Sequence, residues 1–272
     1  MSVRRFDRLL VAAAVIGAVS LVGTSAPASA QGQGPQDPKQ QEQKKQQELK
    51  KQQGQKKQEE QKKEQEAKRQ QRLPPPQQQQ LIDQQQQRLV QYRDQLDQQQ
   101  RLSSQQGVQL QQQRRMAQYG VQQQYTARLR EQQRRIPNTR DYDYWGDPYF
   151  YTPPSYRYSR GGRYYQTNEY GASVLRQAVN YGYEEGFWAG RADREDRWAF
   201  NYRDSYAYQD GIYGYGGFYI DRADYNHYFR EGFRRGYEDA YYGRYRYGEY
   251  ATGRPSVLGT VLSVILSLEP LR

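Results

Sequence analysis

The sequence predicts an all-α protein in which a long Gln-rich arm, helical or disordered, precedes a small helical domain built on a glycine-faced pair of helices. Three observations carry this expectation: a change of composition near residue 140, apolar positions recurring every seven residues in the arm, and an internal repeat with glycines four residues apart beyond it.

The amino terminus is expected to be removed. Arg4, Arg5 and Arg8 precede an apolar stretch from Leu9 to Val22, and Ala28-Ser29-Ala30 follows. A positive start, a short apolar core and small residues at the end read as a secretory signal peptide over 1–30, with a mature chain from Gln31. The apolar stretch is shorter than the roughly 20 residues needed to cross a bilayer, so no transmembrane span is expected in the mature chain. Phe6-Asp7-Arg8 departs from a twin-arginine signal and favours a Sec-type route. The expected location is exported, either periplasmic or extracellular.

The chain has no cysteine, which removes disulfides, thiolate metal sites, a thiol nucleophile and lipidation of an amino-terminal cysteine. Residues 31–140 hold 41 Gln and 3 Tyr, whereas residues 141–272 hold 3 Gln and 25 Tyr. Charge divides at the same place, with 22 Lys plus Arg against 11 Asp plus Glu in the first part and 16 against 18 in the second. The basic excess of the mature chain therefore belongs to the arm.

Residues 31–76 form a polar Gln/Lys-rich low-complexity segment, with too little apolar surface to offset the entropy of ordering. A solvated single helix or a coil is expected there. Pro74-Pro75-Pro76 then breaks it. From 77 to 135 a long Gln-rich helix is expected, because Ile82, Leu89, Leu96, Leu110 and Ala117 fall in one heptad row with Ser103 filling the gap. The companion row carries Gln85, Gln99, Gln106 and Gln113, so the seam is thin and leaves open either weak self-association through it or a mostly monomeric spacer. Residues 136–169, rich in Tyr, Pro and Gly, read as an irregular linker.

Residues 170–272 read as the folded domain. Asn180, Tyr183, Glu185, Gly186, Phe187, Gly190 and Asp193 match Asn226, Phe229, Glu231, Gly232, Phe233, Gly236 and Asp239 at an offset of 46, giving repeats 180–193 and 226–239. Gly182, Gly186 and Gly190, and likewise Gly232, Gly236 and Ala240, line up along one helical face, with Phe187 and Phe233 beside them. An interior glycine costs a helix about 1 kcal/mol relative to alanine. Close approach of two backbones is the natural compensation, as in small-xxx-small helix pairs. Helices are therefore expected near 172–194 and 223–243, packed through these faces. A third helix is expected from Trp198 through Tyr202 and Tyr206 to about Gln209. The apolar run from Val257 to Leu268 reads as a short docking helix, with an interfacial membrane or partner-binding segment and a strand as the alternatives.

No constellation points to catalysis, a cofactor or a metal. His227 is the one histidine and lacks a companion base. Asp141, Asp143 and Asp147 lack the glycine and terminal glutamate of a calcium loop. Glu185 and Glu231 recur in both repeats and suit a hydrolase only if they converge; pairing with arginine, as Glu231 with Arg235, is the simpler role. Arg160-Gly161-Gly162-Arg163 looks like an RGG nucleic-acid segment, but an exported chain leaves no specific nucleic-acid partner expected.

The run Glu231 to Asp239, E-G-F-x-x-G-Y-x-D, followed by Tyr241-Tyr242-Gly243-Arg244 resembles the carboxyl-terminal part of uncharacterised exported bacterial proteins. The likeness spans about 170–250 and implies no activity or catalytic residue. The functional expectation is a noncatalytic exported envelope or extracellular structural or interaction protein, its polar arm presenting a small domain. The alternative is a binding module for anionic or carbohydrate polymers of the cell surface, and a hydrolase using Glu185 and Glu231 comes third.

Overall fold

The computed structural model describes residues 72–137, 141–251 and 253–271, with scattered helical positions between 51 and 63. The expected signal peptide 1–30 and most of the polar segment 31–76 lie outside the described residues. The chain divides into two units, Met1–Gln61 and Lys62–Arg272.

Among the described residues, the second unit holds eight elements of helix and five strands. The helices are α1 (Pro75–Gln112), α2 (Met116–Arg134), α3 (Pro148–Tyr151), α4 (Glu169–Glu195), a 3-10 turn (Tyr202–Asp204), α5 (Tyr206–Asp210), α6 (Arg222–Tyr242) and α7 (Gly259–Leu266). The strands are β1 (Tyr156–Arg160), β2 (Arg163–Thr167), β3 (Gly248–Ala251), β4 (Arg254–Val257) and β5 (Glu269–Pro270). Two small antiparallel sheets, in the orders β2-β1-β5 and β3-β4, correct the all-α expectation.

The first sheet lies where a linker was expected. In the β1–β2 hairpin Arg160 pairs with Arg163, and Gly161 and Gly162 both take positive φ, 57° and 78°. That is the backbone of a two-residue type I′ turn, which glycine adopts without steric cost. The Arg-Gly-Gly-Arg stretch is thus a hairpin turn rather than part of an irregular segment.

α4 and α6 form the centre. Asn168 caps α4, its side chain accepting from the Tyr170 and Gly171 amides, and Gly243 ends α6 in the left-handed conformation at φ 66°. A Cβ built on Gly182, Gly186 or Gly190 would lie 1.9, 2.0 or 2.3 Å from the carbonyl oxygen of Phe229, Phe233 or Tyr237. Conversely, one on Gly232 or Gly236 would lie 2.1 or 2.0 Å from the carbonyl oxygen of Val179 or Tyr183. Contacts advance in the same direction along both chains, so the helices run parallel, backbone on backbone. Ala240 is buried on the same stretch of α6. Phe229, Phe233, Tyr237 and Tyr241 stack in sequence along α6 with centroids 6.3, 6.3 and 5.9 Å apart.

The tyrosine-rich composition is a core composition. Tyr92, Tyr125, Tyr183, Tyr215, Tyr225, Tyr228 and Tyr237 are all fully buried. Each buried phenol needs an acceptor, and each finds one: Tyr125 gives to Asp210, Tyr183 to Asp239, Tyr237 to Asp193, Tyr92 to the Tyr215 carbonyl, Tyr215 to Ile220, Tyr225 to Tyr213 and Tyr228 to Ser159.

The expected single helix over 77–135 is two helices that fold back on each other. Arg114 turns left-handed at φ 57°, and the Asp196 carboxylate accepts from the amides of Ala117 and Gln118 at 3.0 and 2.9 Å, capping α2 from another part of the chain. Arg115, at the corner, pairs with Asp193 at 2.6 Å with both side chains almost wholly buried. Four of the described heptad positions face inward: Ile82, Leu89, Ser103 and Leu110 are buried, and Ser103 meets Thr126 of α2 at 3.0 Å. A face expected to seek a second copy or stand free as a spacer is covered intramolecularly.

The remaining segments are shorter than expected. The third helix is the 3-10 turn and the five-residue α5, closed by left-handed Gly211. The apolar carboxyl-terminal run forms α7 with Leu266 buried, followed by β5, which pairs with β1 at Tyr156 and Arg157.

Candidate functional site

A groove runs between α1 and the segment that leads from α5 into α6. Its larger part, about 590 Å³, is lined by Arg88, Gln91, Tyr92 and Gln95 from α1 and by Tyr215, Asp221, Arg222, Ala223 and Asn226. A second part of about 300 Å³ shares Gln95 and Arg222 and continues past Gln99 and Leu102 to Tyr206, Gln209 and Asp210. The α1 wall follows from helical spacing: positions 88, 91, 95, 99 and 102 recur at three and four residues and so share one face.

Tertiary contacts hold α1 in place. Gln85 donates to the Gly217 carbonyl and accepts from the Tyr219 amide at 3.0 Å. Arg88 pairs with Asp221, and the Tyr206 hydroxyl donates to the Gln99 carbonyl at 2.9 Å. Gly217, at φ 80°, leaves room for Leu89, whose methyl would sit 2.7 Å from an added Cβ.

Among the described residues, several buried polar atoms along the groove have no hydrogen-bond partner. Asp210 is 4% exposed; its Oδ2 accepts from Tyr125 at 2.6 Å, while Oδ1 is buried and unpartnered. Gln99 Oε1 and Arg222 Nε share that condition, although another nitrogen of Arg222 donates to Gln95. Burial pushes the Asp210 carboxyl up to about 6, against the opposing pull of the Tyr125 hydrogen bond, Arg222 and the nearby Ile212 amide. A buried polar atom left unpaired costs roughly 1–3 kcal/mol; these atoms lie beneath the groove surface, so a ligand recovers that cost only if the side chains turn into the groove. Arg88 and Arg222 face Asp221 and Asp210, so the groove is close to electrically balanced.

None of the helix-packing, acid–base or metal candidates from the sequence lines this groove. Gly182, Gly186, Gly190, Gly232, Gly236 and Ala240 lie in the α4/α6 seam, and Phe233 is buried with them. Glu185 is wholly buried and pairs with Arg128 at 2.7 Å; burial pushes its carboxyl up to about 7 against the pull of Arg128. Glu231 pairs with Arg235 at 2.7 Å and with Arg234 at 3.3 Å. Each glutamate is engaged by arginine. His227 packs against Tyr228. Asp143 accepts from the Gly146 amide, and Asp147 caps α3. Among the described residues, no group of three or more His, Asp or Glu side chains is arranged to hold a metal ion, and no helix is long and apolar enough to cross a membrane.

The groove escaped sequence reasoning because its polar atoms come from positions 88, 99, 210 and 222, with no local motif. The faint signal was Tyr92, the one aromatic in α1, which lines the groove and donates to the Tyr215 carbonyl. Comparison of the chain with protein-family models, curated proteins and solved structures finds no match.

Proposed function

We propose that the chain is a noncatalytic, exported binding protein of the cell surface whose groove takes a neutral, polyhydroxylated polymer, a polysaccharide. The observation that carries this reading is the unpaired set of Asp210 Oδ1, Gln99 Oε1 and Arg222 Nε in one groove. A hydroxyl both donates and accepts, so adjacent sugar hydroxyls pair with all three once the side chains turn into the groove, donating to the carboxylate and carboxamide and accepting from the guanidinium. An anion would meet the Asp210 charge and a cation would meet Arg222. The carboxamides of Gln91 and Gln95 extend the same chemistry along α1. The signal-like amino terminus supports an encounter with such polymers outside the cytoplasm.

Titration calorimetry against a panel of neutral oligosaccharides of four or more units tests the reading. Binding that survives 0.5 M salt and falls at least about tenfold in Arg222→Met and in Gln99→Leu is the expected result. Absence of binding to every neutral glycan by the folded wild-type protein overturns it.

A further inference from the structure

At the opposite end of α6 from the groove, about 30 Å away for a helix of this length, the carboxyl ends of α4 and α6 and the β3–β4 hairpin enclose a cleft of about 350 Å³. Phe187, Arg191, Arg194, Tyr245 and Tyr250 line it. We infer that this cleft is a second, separate binding site, specific for an acidic saccharide unit of the uronic-acid type.

The aromatic part is unusual for this chain because it is displayed. Most tyrosines here are buried or half-buried, but Tyr245 and Tyr250 are 54% and 45% exposed. Both rings lie against Phe187, Tyr245 stacked at 5.8 Å and 19° and Tyr250 tilted at 5.9 Å. The backing fixes their orientation, so a ligand ring stacks without first ordering them. The apolar C–H face of a pyranose fits such a platform.

The charge is also uncommitted. Arg191 and Arg194 stand one turn apart on the exposed side of α4 and form no ion pair among the described residues, the Arg191 guanidinium lying 6.0 Å over the Trp188 ring. The acidic lining residue, Asp239, is already occupied: it accepts from the Tyr183 hydroxyl and from the amides of Arg246 and Tyr247. Glu238 is paired with Arg244. Asp239 keeps its charge, and with about half a negative charge from each helix carboxyl end it roughly equals the two guanidinium charges; Asp239 is buried, however, so the charges presented at the surface of the cleft are the guanidiniums. The exposed arginines favour an anion, and a planar guanidinium binds a carboxylate through two parallel hydrogen bonds. A carboxylate and an apolar ring face within one unit describe a uronic acid. This assignment does not depend on the groove's ligand.

Affinity electrophoresis in gels containing polygalacturonate tests it, with fully methyl-esterified polygalacturonate and single-stranded oligo(dT) as comparison probes. Retardation by polygalacturonate at low salt is expected, with at least about tenfold weaker retardation by the methyl ester. Arg191→Gln and Tyr250→Ala, both on exposed side chains, are expected to weaken binding about tenfold each, with thermal unfolding confirming that they fold. Arg222→Met in the groove is expected to leave polygalacturonate retardation unchanged while losing neutral glycan, so the two sites fail separately. Equal retardation by the ester, stronger retardation by oligo(dT), or wild-type behaviour of Arg191→Gln overturns the inference.

Discussion

The hydroxyl of Tyr237 on α6 donates to the carboxylate of Asp193 on α4 at 2.5 Å. The relation is returned, with Tyr183 on α4 donating to Asp239 on α6 at 2.9 Å. Asp193 and Asp239 are equivalent positions of the internal repeat, so each repeat closes on an aspartate that accepts a phenol from the other helix. Both aspartates are buried without measurable exposure, and such carboxylates persist in a core only when hydrogen-bonded. The repeated Asp is thus a demand of pairing, just as the glycines are.

The glycine seam has a sharp test because this chain supplies its own control. At Gly186 an added methyl would lie 2.0 Å from the Phe233 carbonyl oxygen, and a backbone atom cannot swing aside. Gly120, inside α2, has nothing within 4 Å of the same position. Gly186→Ala is expected to lower stability by roughly 3 kcal/mol or more, whereas Gly120→Ala is expected to raise it by up to about 1 kcal/mol. Urea denaturation of both variants reads the opposite signs; a seam variant as stable as wild type would show that the helices are not in backbone contact.

Arg115 holds the corner between α1 and α2 against α4. Arg115→Met leaves Asp193 with only the Tyr237 hydroxyl, and breaking a buried pair from one side costs about 3–5 kcal/mol. Trypsin reports the local consequence. In the native protein Arg101 and Arg128 are expected to resist cleavage, because the helical hairpin packs on the domain. In Arg115→Met both sites are expected to become sensitive at temperatures where wild type is not. Equal cleavage of the two proteins at these sites would contradict a docked hairpin.

Glu185 gives stability a definite pH dependence. Its folded carboxyl lies at about 7 against an ordinary value of 4.5, with burial as the main cause, Arg128 opposing it and neighbouring Glu184 adding to it. Between those values the folded state holds a proton that the unfolded state releases, so stability falls as pH rises from about 4.5 to about 7. The span corresponds to a loss on the order of 3 kcal/mol. Asp210 acts in the same direction up to about pH 6. Glu185→Gln is expected to flatten this part of the melting-temperature profile; a profile that keeps its slope would place the titration elsewhere.

The helical centre was legible because its constraint repeats. Glycines four residues apart in two equivalent stretches predict helices near 172–194 and 223–243, and α4 and α6 occupy 169–195 and 222–242. Other parts were hidden for identifiable reasons. Gln111-Gln112-Gln113-Arg114 favours helix at every position, and the chain turns there because of two aspartates some 80 residues away. Asp193 pairs with Arg115, and Asp196 caps the start of α2. The β1–β2 hairpin carries Tyr and Arg on both faces, so no alternation announced it, and only Gly161-Gly162 marked the turn. The groove depends on the docking of α1 and α2 and was unreadable once that docking was missed.

Two helices that run the same way cannot be joined by a tight turn. The chain must travel back along the length of α4 before α6 begins, and this excursion carries Tyr206, Asp210, Tyr215 and Ile220, all buried. Pairing of the glycine seam is therefore a non-local event, preceded by the closure of a long loop. The same return journey supplies one wall of the groove, so the topology that delays assembly of the two repeats is also what creates a place for a ligand beside them.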